Sequence, residues 1–405
     1  TDVLEEFVLG LTENNSIWIG SDPSSTTDTA SNNTALGLDT LDSVTTGDNN
    51  TIVGKSAGTA VTEGGNNCFF GYLAGSEATT SSHNNFFGHL AGYSGTRANQ
   101  NNAFGYYAMS INQGTNNVAM GHNTMQGEVG ADNDATVAIG AYALRNISGT
   151  ADMNTAVGYG AMQGVATGIE STAQYNTAIG HSSMGGLTSG YSNVAVGRES
   201  LINITSGFYN VAVGNTAGHS STTGTGNVMI GHQAGYDLTT GSQNVLIGEE
   251  AGENLVGGGY NVAIGSDSLK AATAAIYTIA IGKNAMSSGL VTANQAIGIG
   301  YGALASATSS DETVAIGGYS GDAITTANYN TFVGHNSATN LTTSPDNTAI
   351  GHGAMVGHAT QDTTSEKNVA IGKNAMYVAS GANYNVAVGE GALSGAAAGM
   401  TGDNN

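Results

Sequence analysis

Six of the nine histidines in this 405-residue chain stand at one recurring place, directly after a glycine: His89, His122, His181, His232, His335 and His352. Imidazoles repeated at a fixed spacing have the chemistry to ligate a metal ion or to move a proton. His335 and His352 form the best pair. If their segments stack, one strand spacing separates them and a metal shared with symmetry-related copies is feasible. No cysteine or carboxylate is fixed beside that pair, and the same place also holds Tyr72, Tyr106, Tyr159, Lys55, Lys283, Lys373, Arg198 and Glu390. A position that accepts all of these reads as solvent-facing.

Other chemistry is sparse. Acidic residues (Asp39, Asp42, Asp48, Asp132, Asp134, Glu249, Glu250) scatter through turn-like stretches, and the GGxGxD pattern of calcium-binding rolls does not recur. There is no nucleophile elbow, P-loop or HExxH, and nothing in the pattern assembles carboxylates with Lys or Arg in one cleft. The expectation is a protein that is not an enzyme and needs no cofactor. Only 8 basic residues against a formal charge of −22 argue against binding nucleic acid through its phosphates. The single Cys68 forms no internal disulfide and reads as a small buried residue. No run of 18 apolar residues is present, so membrane insertion is not expected. Phe69, Phe70, Phe86, Phe87 and Phe104 read as aromatic stacking in a core, with a sticky surface patch as the rival.

These residues must be placed by a repeat. An apolar residue followed by glycine recurs at Gly20, 37, 54, 71, 88, 105, 121, 140, 158, 180, 197, 214, 231, 248, 265, 282, 300, 317, 334, 351, 372 and 389. Of the 21 intervals, 15 are 17 residues long, which is too short for a helix pair or propeller blade and suits one coil of a β-solenoid. The residue before each glycine is always apolar, as in Val196, Val213, Ile230, Ile247 and Ile264, and these are taken as core. Two places earlier stands Val, Ile or Thr in nearly every copy, and Ala mostly lies between. Alternate strand residues face opposite ways, so both faces are apolar and both need cover. Four places before the glycine, Asn fills 17 of 22 copies, including Asn33, Asn50, Asn193, Asn210, Asn227, Asn244 and Asn261. Asn suits turns, and its amide can bond the equivalent Asn of the next coil. After the glycine, a small residue and then Leu, Met or Gly read as a second short strand closing the coil.

The expected architecture is all-β: a β-solenoid of about 22 coils over 16–393, a connector or cap at 1–15, and the start of a further repeat at 394–405, where "TGDNN" repeats 46–50. Stacked at about 4.8 Å per coil, the array would be a rod on the order of 100 Å long. The Ala column reads as a flat apolar stripe that another copy must cover, which favours a homo-oligomer over a monomeric flattened roll. The long intervals at 158–180 and 351–372 are expected to bulge outward as loops. "NVAVG", "NVAIG" and "NTAIG", each followed by a small residue and Leu or Met, resemble the head repeats of trimeric autotransporter adhesins of the YadA kind. "NNTALGLDTLDSVTTGDNNTIVG" is still more similar to repeat arrays in tail-fibre proteins of phages of aquatic bacteria. The resemblance implies a left-handed parallel β-roll assembled as a homotrimer and lying at a virion surface or outside a cell. It also implies a structural fibre that supports attachment to a host, with a surface glycan or other fibre and virion proteins as partners. The rival reading is a glycan- or ice-binding β-solenoid; its Thr-rich turns place Thr in loops rather than on flat strand positions.

Overall fold

The structure is a computed structural model that describes residues 11–20, 23–94, 98–127, 131–146, 149–164, 172–288, 294–357, 364–378 and 381–395. The chain divides into two compact units, Thr1–Gly207 and Phe208–Asn405. Both are parallel β-solenoids with one three-residue strand per coil, and the described helix is a single 3-10 turn at Pro23–Ser25. In the first unit the array opens with Leu11–Glu13 pairing antiparallel to Ser16–Ile19, so part of the expected connector is a strand that caps the ladder. Parallel pairing then runs coil to coil in unshifted register, for example Thr177↔Val194, Ala178↔Ala195 and Ile179↔Val196. The second unit repeats the pattern, as in Val245↔Val262, Leu246↔Ala263 and Ile247↔Ile264.

Each strand buries its middle residue and turns its flanks outward. The Ala column is therefore core: Ala195, Ala212 and Ala263 are fully buried inside their coils. This reverses two expectations. Val213, Ile230 and Ile264 are more than a third exposed, and Val196 and Ile247 are half-buried, so these five face outward and are not core. The cause is the alternation of a strand: a three-residue strand inside so thin a coil has room inward for one side chain only. The Ala stripe offered as the cover for another copy is likewise inside the coil.

Among the described residues no second strand closes the coil. The residues two and four places after the motif glycine adopt left-handed backbone, as at Glu199 (φ 53) and Leu201 (φ 48), which a strand does not tolerate. Their backbone groups still bond from coil to coil, as in Leu269 N–H to Ala285 O at 2.9 Å. The motif glycine itself lies at φ 129 in Gly265, and a Cβ there would sit 2.7 Å from the backbone of Gly282. Both the conformation and the close approach require glycine.

The small-or-large residue four places after that glycine shares one core slot with the strand's middle residue. Where the strand carries Ile52, Phe69, Phe86, Met229 or Leu246, the later position is Gly58, Gly75, Gly92, Gly235 or Gly252. A Cβ on Gly58 would lie 2.7 Å from Ile52 Cδ1, and one on Gly252 2.9 Å from Leu246 Cδ2. Where the strand carries Ala, the slot is in most coils filled from the turn, as by Leu201, Leu269 or Met286; Ala212 with Gly218 and Ala315 with Gly321 depart from this, each next to a coil with a large strand residue, Met229 or Phe332. Close packing to near-crystalline density enforces that exchange of volume.

The Asn ladder forms as expected. Asn50 is fully buried. Its N–H and Nδ2 both donate to Asn33 Oδ1, at 2.9 and 3.1 Å, and Nδ2 also donates to Gly64 O at 3.0 Å. Asn227 does the same with Asn210 Oδ1 (3.0 and 3.1 Å) and Gly241 O (2.8 Å), and Asn244 and Asn261 continue the series. Asn193 bonds Asn176 Oδ1 and Gly207 O. The left-handed turn residue is the one before the ladder Asn, such as Asn32 (φ 59) or Asn49 (φ 59). Across the 22-residue interval, Asn176 N–H still donates to Asn154 Oδ1 at 2.9 Å, so the extra residues leave the ladder intact. The loop centres, 165–171 and 358–363, and the end of the chain, 396–405, lie outside the described residues.

Candidate functional site

With the ladder Asn and the middle strand residue turned inward, whatever meets a partner stands on the outward columns: the two strand flanks and the residue after the motif glycine. His335 and His352 are both exposed there, on adjacent coils, with rings stacked 5.5 Å apart and 13° from parallel. Among the described residues no third ligand joins them. Among the described residues, the one group of three His, Cys, Asp or Glu side chains whose ligand atoms lie within 4.8 Å of one another is His232, Glu249 and Glu250. That group is not left to a metal alone, because Glu250 pairs with Lys270. The ammonium of Lys270 also lies 3.2 Å from Asp267 Oδ1 and 3.5 Å from Glu253 Oε2. The Glu250 carboxylate, with help from Asp267 and Glu253, holds Lys270 far above the usual lysine range despite some burial.

In the first unit the column after the glycine is aromatic. Tyr72, His89, Tyr106 and His122 stack in succession, each ring 5.1 Å from the next. Phe70, Phe87 and Phe104 stack beside them at 5.0 Å on the outward strand flank. The five phenylalanines thus divide between the two readings given to them. Phe69 and Phe86 stack in the core at 4.9 Å, whereas the other three form a surface row. Adjacent strand residues face opposite ways, so a Phe-Phe pair supplies one ring to each side. Cys68 precedes such a pair on the outward flank and is half-buried rather than core; partial burial pushes its thiol upward.

Sequence reasoning missed the Lys270 cluster and a second contact, Ser94 Oγ donating to Glu77 Oε2 at 2.9 Å. The signal available was the period itself, since Glu253 and Lys270, like Glu77 and Ser94, are one 17-residue coil apart. The threonine expectation is also amended. Threonines in the turns form their own ladder, as in Thr222 Oγ1 to Thr239 O at 3.2 Å and Thr325 Oγ1 to Thr342 O at 3.1 Å. Others, Thr34, Thr51, Thr331 and Thr348 among them, stand on outward strand flanks, interrupted by Val and Ile in most coils. No helix among the described residues is long and apolar enough to cross a membrane. No protein-family model matches the chain, and no curated protein matches it either.

Proposed function

We propose that this chain is a stretch of a non-enzymatic structural fibre whose function is reach, carried on a virion or cell surface and supporting attachment to a host or other surface. The observation that carries this reading is the division of labour between columns. The motif glycine, kept in every copy, and the ladder Asn, kept in 17 of 22, are accounted for by stacking one coil on the next, and the inward strand residue by filling the core of its coil. Among the described residues the outward columns gather no catalytic constellation: the residue after the glycine varies widely, and the two strand flanks are mostly apolar or Thr. In this reading the outward strand flanks, with Val213, Ile230 and Ile264 each more than a third exposed, are the surface that further copies cover in a homotrimer. Multi-angle light scattering should return three times the chain mass; a stable folded monomer would remove the trimer from the proposal.

The decisive test of the shaft is deletion of residues 215–248, two whole coils within the second unit. Coils that contact only their neighbours are interchangeable, so the variant should fold and shorten by roughly 10 Å in electron micrographs. An unfolded chain, or particles of unchanged length, would refute it.

A further inference from the structure

Of the six histidines that follow a motif glycine, five are engaged by a neighbouring ring. His89, His122 and His181 stack on tyrosines, and His335 stacks on His352. His232 differs. Among the described residues its imidazole enters no ring stack, hydrogen bond or ion pair, and neither does the carboxylate of Glu249. His232 is also the one motif histidine that meets an acidic residue at the same place of the next coil, Glu249, with Glu250 directly after it. One ligand atom from each of His232, Glu249 and Glu250 lies within 4.8 Å of the other two. The repeat does not require this group, because the same places in other coils hold Tyr, Lys, Asn, Ser or Gly.

Local structure holds the three donors together. Glu250 N–H donates to His232 O at 2.9 Å from one coil to the next, and Asp267 N–H donates to Glu249 O at 2.9 Å. The backbones that carry the donors are thus fixed by stacking. The Glu250 side chain is fixed as well. Its Oε2 accepts from the ammonium of Lys270, which Asp267 Oδ1 (3.2 Å) and Glu253 Oε2 (3.5 Å) hold in turn. The other oxygen, Oε1, takes no part in that bridge. Carboxylates that ligate a metal are ordinarily steadied by an outer hydrogen bond of this kind. The local charge also calls for a cation. One ammonium, Lys270, stands against four carboxylates, those of Glu249, Glu250, Glu253 and Asp267.

We propose that His232, Glu249 and Glu250 bind a divalent first-row transition ion, zinc being the one their donor set suits. The imidazole decides the class and lifts the group above an acidic patch. Calcium and magnesium take oxygen ligands, whereas zinc accepts imidazole nitrogen and carboxylate oxygen together. At bond lengths of about 2.0–2.2 Å, the donors around a tetrahedral zinc stand roughly 3.5 Å apart. His232 and Glu249 are exposed, so rotation of their side chains closes the difference without moving the coil. Three protein donors leave a fourth position for water or for a donor group on a molecule that meets this face. The inference goes beyond the fibre reading and does not depend on it.

The test titrates the full chain, freed of metal by a chelator, with zinc chloride in a calorimeter. A site with a Kd of about 10 μM or tighter should fill with one ion per chain. His232→Ala and Glu249→Gln should each weaken it tenfold or more, with the circular dichroism spectrum unchanged because both side chains are exposed. Co2+ should bind at the same site and give a visible absorption band that His232→Ala abolishes. Calcium and magnesium should bind at least a hundredfold more weakly. The double variant His335→Ala, His352→Ala should keep the site. The proposal is overturned if zinc does not saturate, if its affinity survives both His232→Ala and Glu249→Gln, if calcium binds as tightly, or if zinc is held only through His335 and His352.

Discussion

Exchanging volume within one coil is the sharpest test of how the core is built. Leu246 is fully buried, and a Cβ placed on Gly235 or on Gly252 would come within 2.9 Å of its methyl groups. Leu246→Ala alone empties the slot and should cost about 2–5 kcal/mol. Gly252→Leu alone overfills it, at about 1–3 kcal/mol for the crowding. It also places leucine at φ 60, which adds about 1–2 kcal/mol. If the two effects were independent, the double variant would lose roughly 4–10 kcal/mol. The structure says otherwise, because Leu246→Ala with Gly252→Leu recreates the neighbouring coil, where Ala263 lies in the strand and Leu269 (φ 55) fills the slot. Only the left-handed leucine should then remain as a cost, about 1–2 kcal/mol. The assay is guanidinium unfolding of wild type, both single variants and the double variant, followed by far-ultraviolet circular dichroism. The double variant should unfold at a higher denaturant concentration than either single one. If its midpoint falls by the sum of the two single shifts, the shared slot does not exist.

Two further outcomes follow from buried polar groups. Asn227→Ala removes the acceptor of Asn244 N–H and Nδ2 and should cost about 1–3 kcal/mol in urea titrations, while leaving any surface binding intact. An unchanged midpoint would mean that the ladder adds nothing. Asp322 has a buried Oδ1 with no partner, and burial raises its pKa above the carboxylate norm. Between its ordinary and its raised pKa the folded state holds the proton more firmly than the unfolded chain, so this group's contribution to stability falls as pH rises through that window. Asp322→Asn should therefore stabilise the protein at pH 7, by about 1 kcal/mol, and do little near pH 3.5. Equal effects at both pH values would show that charge is not the cause.

The period, the parallel stacking and the Asn ladder were legible in the residues because they are one-dimensional properties. A 17-residue spacing, an Asn at one offset and a glycine at another recur whether or not the chain is folded. What the columns could not reveal is which side of the strand is inside. Val–Ala–Val is apolar on both faces, so hydrophobicity alone assigned Val213 and Ile230 to the core and Ala212 to the surface, the reverse of their burial. Coil width decided it. A strand three residues long, closed by left-handed turns at positions such as Glu199 and Leu201, encloses a slot that takes one large group from either the strand or the turn. The same closure gathers Leu73, Leu90 and Tyr107 around one cavity, although they stand on three successive coils. Contacts between residues one period apart, such as Glu253 with Lys270, exist only because neighbouring coils stack in unshifted register.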